Sequence, residues 1–292
     1  MGFQSGRLTV NKIFELESAL PLSMVFPQIG AADLQQLKSW YWSDELTEDP
    51  ATAAIQLSCH SYLLQIGGQN ILIDTCNGND KDRVVPFAHQ LHTGYLDGFR
   101  ATGVDPKDVD LVMCTHLHCD HVGWNTRLEN GRWVPTFPNA RYLFTRPDFE
   151  FFARHEDPVH SPAYRDSVLP VVEHGLAQII ETDHVVQKQI GDGVWLRGVP
   201  GHSPGSCVVQ AQAGGELVLF SGDVFHHPLQ LVRPDVHFFA DEDPVMASAA
   251  RSALFAEYAD TAVTLFPAHF PRSSGGHIAR NGSAYRYHFL PA

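Results

Sequence analysis

Short apolar runs separated by glycine, proline and asparagine recur along the chain and predict β-hairpins. The runs at 63–66 and 71–73 flank Gly-Gly-Gln-Asn, which is typical of a hairpin turn. The stretches 207–223 and 277–287 have the same organisation, with Gly-Gly and Asn-Gly at their centres. We therefore expect antiparallel strand pairs in three parts of the chain.

Strand and helix patterns also alternate along the chain. Further strands are predicted at 111–113, 140–145, 194–202 and 262–269, and helices at 31–40, 95–102, 147–154 and 243–259. The last helix would begin with Asp243 as N-cap and Pro244 at its first position. Hairpins mixed with strand–helix alternation predict an α/β (α+β) fold, in which two mixed β-sheets lie between helical layers.

The N-terminal part of the chain lacks a clear strand pattern. Residues 1–50 are interpreted as an irregular extension that contains only the short helix at 31–40, and residues 51–292 as the core. No change in composition marks a boundary, so a single domain over 1–292 is predicted. The extension carries apolar side chains that would cover a site mouth, form the interface of a homodimer, or pack on the chain itself: Phe26, Leu34, Leu37, Trp40 and Trp42.

Composition excludes several classes of partner. Acidic residues outnumber basic ones by 33 to 20, and lysine and arginine do not cluster, so nucleic-acid binding is not expected. No apolar segment approaches about 18 residues, and the first residues lack the basic and apolar regions of a secretory signal, so neither a membrane span nor export is expected. Five cysteines without framework spacing are typical of reduced thiols in the cytoplasm.

Four potential metal ligands are concentrated in the stretch Cys-Thr-His-Leu-His-Cys-Asp-His: His116, His118, Asp120 and His121. Residues two apart on an extended segment point the same way, so His116 and His118 can bind one metal. Asp120 and His121 would then turn away from that pair and toward a second metal. Burying four such side chains at a strand end would be costly without a role of this kind.

Three further candidates follow predicted strands: His202, Asp223 and His269. Because the ends of neighbouring strands meet at one rim of a sheet, we expect these side chains to join the first group. His202 would complete one set, His269 the other, and Asp223 would bridge both. Three protein ligands per metal leave a position for water, as in catalytic sites. Imidazole and carboxylate without thiolate predict two divalent metal ions, zinc or else iron, manganese or cobalt.

The remaining histidines and the scattered aromatic residues carry weaker signals. Four histidines lack ligand spacing and are expected to be surface or hydrogen-bonded residues: His155, His160, His174 and His184. Aromatic side chains are more often core than site, but four are candidates to line an apolar pocket: Trp40, Trp42, Phe238 and Phe239.

Taken together, these motifs resemble the metallo-β-lactamase superfamily. The stretch 116–121 matches its His-x-His-x-Asp-His motif, and three later metal motifs match in order and spacing: Gly201-His202-Ser203-Pro204-Gly205, Ser221-Gly222-Asp223 and Ala268-His269. Ile73-Asp74-Thr75 resembles the aspartate-bearing strand end that precedes the first motif. The resemblance covers about residues 58–269. It implies an αββα sandwich, two metals and hydrolysis of an ester, lactone, thioester, amide or phosphoester.

Within the superfamily, the chain is most similar to the lactonase and methyl-parathion-hydrolase-like branch. The resembling segments are the N-terminal extension, Trp124-Asn125, 133–152 and 222–230. This implies a dinuclear-metal-dependent hydrolase that opens a lactone or cleaves a related ester through a metal-bridging hydroxide. Alternatives are a phosphotriester (organophosphate) hydrolase, a glyoxalase II-like thioesterase, and a metal-bearing ligand sensor without catalysis. The expected partners are a small-molecule substrate and, as in related enzymes, a second copy of the chain.

The resemblance also implies roles for two catalytic residues. Asp120 would both bind a metal and orient the hydroxide. Acyl-homoserine lactonases carry a tyrosine three residues after the bridging aspartate, where this chain has His226. An imidazole with a pKa near about 6.5 is suited to proton transfer at neutral pH. His226 is therefore predicted to reach the open face of the site and either protonate the leaving group or contact the substrate.

Overall fold

The computed structural model describes residues 2–41, 43–189 and 192–291. Seven strands form the first sheet, in the spatial order β1 Gly2–Ser5, β2 Leu8–Pro21, β3 Ala54–Ile66, β4 Gln69–Ile73, β5 Leu111–Met113, β8 Arg141–Thr145 and β9 Ala177–Ile180. A separate hairpin pairs β6 Thr126–Glu129 with β7 Arg132–Pro135. Strands β1 to β4 pair antiparallel, whereas β4, β5, β8 and β9 run parallel.

The second sheet also has seven strands and also mixes both directions. Their spatial order is β10 Val185–Gln189, β11 Asp192–Gly198, β12 Cys207–Ala213, β13 Glu216–Gly222, β14 Thr264–Pro267, β15 Gly276–Asn281 and β16 Ala284–Phe289. Only the pair β13–β14 is parallel. The helices are α1 Leu22–Val25, α2 Ala31–Lys38, α3 Tyr95–Arg100, α4 Cys119–Val122, α5 Arg146–Arg154, α6 Ser161–Ala163, α7 Leu169–Glu173, α8 Leu229–Val232 and α9 Pro244–Tyr258.

Separate apolar clusters show how these elements are layered. Side chains of both sheets, among them Met113 and Phe220, meet in one cluster. The other face of the first sheet packs against α3, α5 and α7, with Val112 among its buried side chains. The other face of the second sheet packs against α9. The prediction of two mixed sheets with flanking helices is therefore confirmed. Val112 and Met113 lie in different clusters, as expected for a strand buried on both faces.

The local predictions hold for most elements, including all three hairpins. Helix α9 begins where expected, because the Asp243 carboxylate accepts a hydrogen bond from the backbone N–H of Met246 at 2.9 Å, and Pro244 is its first residue. The predicted strand at 111–113 corresponds to β5 without a change of bounds. The signals that succeeded are short-range ones, namely turn residues, caps and uninterrupted apolar runs.

The interpretation of residues 1–50 as an irregular extension is wrong for its first part. Strands β1 and β2 form a hairpin, and β2 pairs with β3 over its whole length. A β-bulge between Phe14 and Leu16 shifts the register, which interrupts the alternation that would have predicted a strand. The short helix is present as α2. The prediction of one domain over 1–292 stays a prediction.

The apolar side chains of the extension pack on the chain itself. Phe26, Leu34 and Leu37 are buried in one cluster with residues of β3 and α8, and Trp40 packs against that cluster. Phe26, Leu34 and Leu37 are therefore not available for a subunit interface, and the homodimer stays a prediction. Trp42 lies outside the described residues. No helix in the described ranges combines the length and the apolar character that crossing a membrane requires.

One glycine is required by the close approach of two loops beside the candidate ligands. A Cβ on Gly123 would lie 1.8 Å from the carbonyl oxygen of Asn77. We expect Gly123→Ala to lower the free energy of unfolding by about 2–4 kcal/mol, because the backbone must move. Gly98 in α3 is the matched control, since no atom lies near its added Cβ. Gly98→Ala should stabilise by about 0.5–1 kcal/mol. Equal urea midpoints for the two variants would contradict the packing.

Candidate metal centre

The seven predicted ligands lie beyond strand ends that converge from both sheets. The first sheet contributes the loop after β5 and the first residues of α4, which carry His116, His118, Asp120 and His121. The second sheet contributes the segments after β11, β13 and β14, which carry His202, Asp223 and His269. The centre therefore spans the open edge between the two sheets and depends on their packing.

The structure brings these side chains together in the two predicted sets. The ligand atoms of His116, His118 and His202 lie within 4.8 Å of one another. The ligand atoms of the second set also lie within 4.8 Å of one another: Asp120, His121 and His269. Asp223 forms a further set with one member of each, His116 and His121. Asp223 thus lies between the two sets, where a bridging ligand would be expected.

The Asp223 carboxylate is the point on which the cluster converges. Its Oδ2 atom lies 3.1–3.8 Å from the Nε2 atoms of five histidines: His116, His121, His202, His226 and His269. The aspartate side chain is only 4% exposed, so water does not screen it. The protonation of these imidazoles therefore decides whether the arrangement is attractive or repulsive.

Hydrogen bonds to the outer nitrogens fix that protonation. His269 places Nδ1 at 3.1 Å from the backbone carbonyl of Ser58, which can only accept, so Nδ1 carries the proton. His121 places Nδ1 at 2.9 Å from Oδ2 of Asp74, and His202 places Nδ1 at 2.8 Å from Oδ1 of Asp241. Each ring therefore directs Nε2 at the centre, where that atom can offer its lone pair to a metal ion once it is deprotonated.

His116 is oriented in the same way through an intermediate hydroxyl group. The Thr115 hydroxyl donates its single proton to the Asp74 carboxylate at 2.9 Å and lies 3.2 Å from Nδ1 of His116. Because that hydroxyl has no second proton, it accepts from Nδ1. Asp74 thereby orients two candidate ligands, His121 directly and His116 through Thr115.

Several buried polar atoms in the centre have no hydrogen-bond partner among the described residues. They are Nε2 of His116, His118, His121 and His202, and Oδ1 of Asp223. Lone pairs that converge on a buried carboxylate repel unless a cation lies between them, and such orphaned atoms are costly. Divalent metal ions would satisfy all of them. The buried histidine and aspartate clusters therefore fit a dinuclear metal site, while the ligand role of each residue stays a prediction.

The electrostatics of the centre favour positive charge. Burial lowers the pKa of His202, but Asp223 and Asp241 outweigh it and raise the pKa to about 9. Burial also opposes protonation of His121, yet Asp223 and Asp74 raise its pKa well above its ordinary value. The same carboxylates that attract a proton attract a metal ion, and metal binding would release those protons.

Three buried aspartates support the ligands, and the motifs assigned none of them a role. Asp74 and Asp241 hold histidine rings, and Asp241 also accepts the backbone N–H of Phe238 at 2.8 Å. Asp148 accepts hydrogen bonds from the backbone of Leu117 at 3.0 Å and the hydroxyl of Ser203 at 2.9 Å, joining the loops that carry two ligand motifs. Burial raises the pKa of Asp148 to about 6 against these hydrogen bonds.

Glu15 joins the N-terminal hairpin to the centre. The bulge in β2 turns its side chain inward, where it accepts hydrogen bonds from the N–H groups of Asn77, Gly78 and the Trp124 indole at 2.8, 3.1 and 2.6 Å. Burial raises its pKa, and these donors oppose the rise. The N-terminal hairpin therefore holds two loops that flank the candidate ligands.

His226, the predicted proton donor, lies behind the wall of the site and not on its open face. The residue is fully buried, and its ring stacks on Phe238 with centroids 3.7 Å apart. Its ligand atom groups with those of His202 and Asp223 within 4.8 Å. Burial lowers the pKa of His226 to about 4, so the imidazole is neutral at pH 7. A role in proton transfer stays a prediction.

The candidate ligands open onto an apolar cavity of about 270 Å³. Its walls come from β2 and α1, from the loop before α3, and from the segment that carries Phe238 and Phe239. Those two aromatics therefore lie at the site, whereas Trp40 does not line this cavity. His160 lines it as well, and it belongs to none of the candidate ligand sets. No spacing in the sequence links His160 to the ligands.

Known proteins share both the sequence motifs and the fold. A probable metallo-hydrolase of Mycobacterium tuberculosis is 28% identical over 201 residues, 59% of this chain and 58% of that protein, so the chain spans less than two thirds of this relative's length. The hydrolase AbOPH has a TM-score of 0.78 at 23% identity, covering 99% of this chain and 98% of the other. AidC, described as a dizinc quorum-quenching lactonase, has a TM-score of 0.80 at 19% identity, covering 100% and 98%.

Likeness to solved structures at these identities establishes the fold, and the sequence profile establishes the family. The profile of the metallo-beta-lactamase superfamily matches residues 54–269, a range that contains all seven candidate ligands. With the two mixed sheets and the buried histidine and aspartate clusters in place, this chain belongs to the metallo-beta-lactamase superfamily.

Proposed function

We propose that this protein is a dinuclear-metal hydrolase that opens a lactone or cleaves a related neutral ester. The observation that carries the proposal is the chemistry of the cavity into which the candidate ligands open. Among the described residues, no lysine or arginine lines it, and most of its walls are apolar. The part of a substrate that lies away from the metal centre therefore has little to gain from a negative charge and much to gain from apolar surface.

This argument separates the proposal from two alternatives. A glyoxalase II-like thioesterase binds an anionic glutathione moiety, for which the cavity walls supply no cationic partner. A phosphotriester is neutral and fits the same walls, so organophosphate hydrolysis is a second candidate. The shared fold with the dizinc lactonase AidC supports a lactone as the substrate and zinc as the metal. It does so at 19% identity, and the substrate has to be tested directly.

The residues of the centre divide the work between holding metal and handling substrate. His116, His118 and His202 would hold one ion, the set with Asp120, His121 and His269 the other, and Asp223 both. Bound divalent metals supply Lewis acidity and lower the pKa of coordinated water. Asp74 and Asp241 keep the ligand rings in the tautomer that this requires.

Asp120 is the candidate ligand best placed to act on the nucleophile. Its side chain is 32% exposed, against 4% for Asp223, and it lines the cavity. Burial raises its pKa, but the neighbouring His121 and His269 outweigh burial and leave it lowered. The ionised carboxylate can accept a hydrogen bond from an attacking water molecule and direct it toward the substrate.

The proposal is tested with a panel of matched substrates. We expect turnover of neutral lactones and aryl esters, and at least about 10-fold lower kcat/KM for the same ester carrying a carboxylate, because the cavity offers that charge no partner. A phosphotriester and a glutathione thioester complete the panel. Elemental analysis should give two metals per chain, and a chelator should abolish turnover. Preference for the charged esters or the thioester would reject the proposal.

Replacing the exposed carboxylate should separate chemistry from folding. We expect Asp120→Asn to reduce kcat by at least about 100-fold, since the amide cannot accept a proton and binds metal more weakly. Asp97→Asn is the matched control, because Asp97 is 89% exposed on α3 and does not line the cavity. Metal content is measured for both variants. Wild-type kcat in Asp120→Asn with full metal loading would remove Asp120 from the mechanism.

The role proposed for His226 makes a prediction about leaving groups. Opening an alkyl lactone expels a poor leaving group that needs a proton or a hydrogen bond, whereas a phenolate leaves without one. If His226 assists departure, His226→Ala slows alkyl lactones by about 100-fold or more and aryl esters much less. A structural role beside Asp223, 3.2 Å away, would slow both classes alike. Equal losses, with reduced metal content, would therefore assign His226 to the metal cluster.

A further inference from the structure

His160 is held rigidly against a candidate metal ligand. The Asp157 carboxylate accepts hydrogen bonds from the backbone N–H groups of Val159 and His160 at 2.7 and 2.8 Å and so fixes this loop. The His160 ring lies parallel to the ring of His118, with centroids 4.1 Å apart and planes inclined by 17°. The edge of Phe152 packs against both rings. Contacts within the protein therefore hold the His160 imidazole in place.

Nδ1 of His160 is buried and has no hydrogen-bond partner in the described parts of the chain. Two other polar side chains of the cavity wall are already engaged: Cys59 contacts the backbone carbonyl of Asp120, and the Asn77 amide donates to Glu15. A rigid imidazole without a partner, beside the candidate ligands, is therefore open to a ligand that enters the cavity.

We propose that His160 is a catalytic residue that donates a hydrogen bond to an oxygen of the reacting ester or lactone group. This inference rests on the proposed function. A neutral imidazole carries one N–H donor, so the bond requires no change of protonation. Stacking on His118 places that donor beside the metal cluster, where the reacting carbonyl must lie. A donor fixed before the substrate binds can stabilise the charge that develops on that oxygen.

Two substitutions distinguish the hydrogen bond from the packing. His160→Phe keeps an aromatic ring against His118 but removes the donor, and His160→Gln keeps a donor without the ring. We expect kcat/KM on the best substrate of the panel to fall by about 10- to 100-fold in His160→Phe and to recover in part in His160→Gln. His155→Phe is the matched control, since His155 stacks on Phe151 nearby and does not line the cavity. It should leave kcat/KM unchanged.

A second measurement does not depend on turnover. Elemental analysis should find the wild-type metal content in all three variants, and calorimetry should show that the open-chain hydroxy acid product binds His160→Phe more weakly than wild type. Wild-type kcat/KM and product affinity in His160→Phe would overturn the inference and leave the proposed function standing. Loss of metal in His160→Phe would also overturn it, since His160 would then only support His118. A wild type inactive on the whole panel would overturn both.

Discussion

The candidate centre depends on one electrostatic constraint: a buried carboxylate, Asp223, faces five imidazole nitrogens at 3.1–3.8 Å. Four of these rings belong to predicted ligands, and each has its outer nitrogen near an acceptor, so each turns Nε2 inward. In a low-dielectric interior, lone pairs and a carboxylate repel, and the cluster is stable only with positive charge among them. The place where the two sheets meet therefore requires bound positive charge.

The centre is assembled from segments that lie far apart in the sequence and belong to different sheets. The acceptor for His269, on the second sheet, is the carbonyl of Ser58 on the first. Asp148 similarly joins the loop after β5 to the loop after β11. Because the two sheets contribute different candidate ligands and are tied together by these contacts, neither sheet presents a complete centre by itself.

The sequence predicted what is local and missed what is not. The motif at 116–121 concentrates four candidate ligands within six residues, and the later candidates follow apolar strands, so spacing was sufficient to predict the clusters that the structure brings together. Asp148 resembles an ordinary acidic residue in the first turn of a helix, and Asp241 lies among other acids, so neither carries a distinctive pattern. Glu15 was hidden by the bulge that turns it inward. His160 reaches the cavity from an irregular loop, and only tertiary structure brings it there.

The same distinction explains why the chemistry of the centre is easier to identify than its substrate. Metal ligands must be histidine or acid at fixed spacing, because coordination has strict requirements for atom type and direction. Cavity walls need only be apolar and the right size, and here single residues such as Leu20, Met24, Phe87 and Phe239 supply them from separate parts of the chain. Nothing in the spacing of such residues distinguishes them from core residues. We therefore expect substrate selectivity to depend on apolar residues scattered along the chain, whereas the candidate ligands lie in a few short motifs.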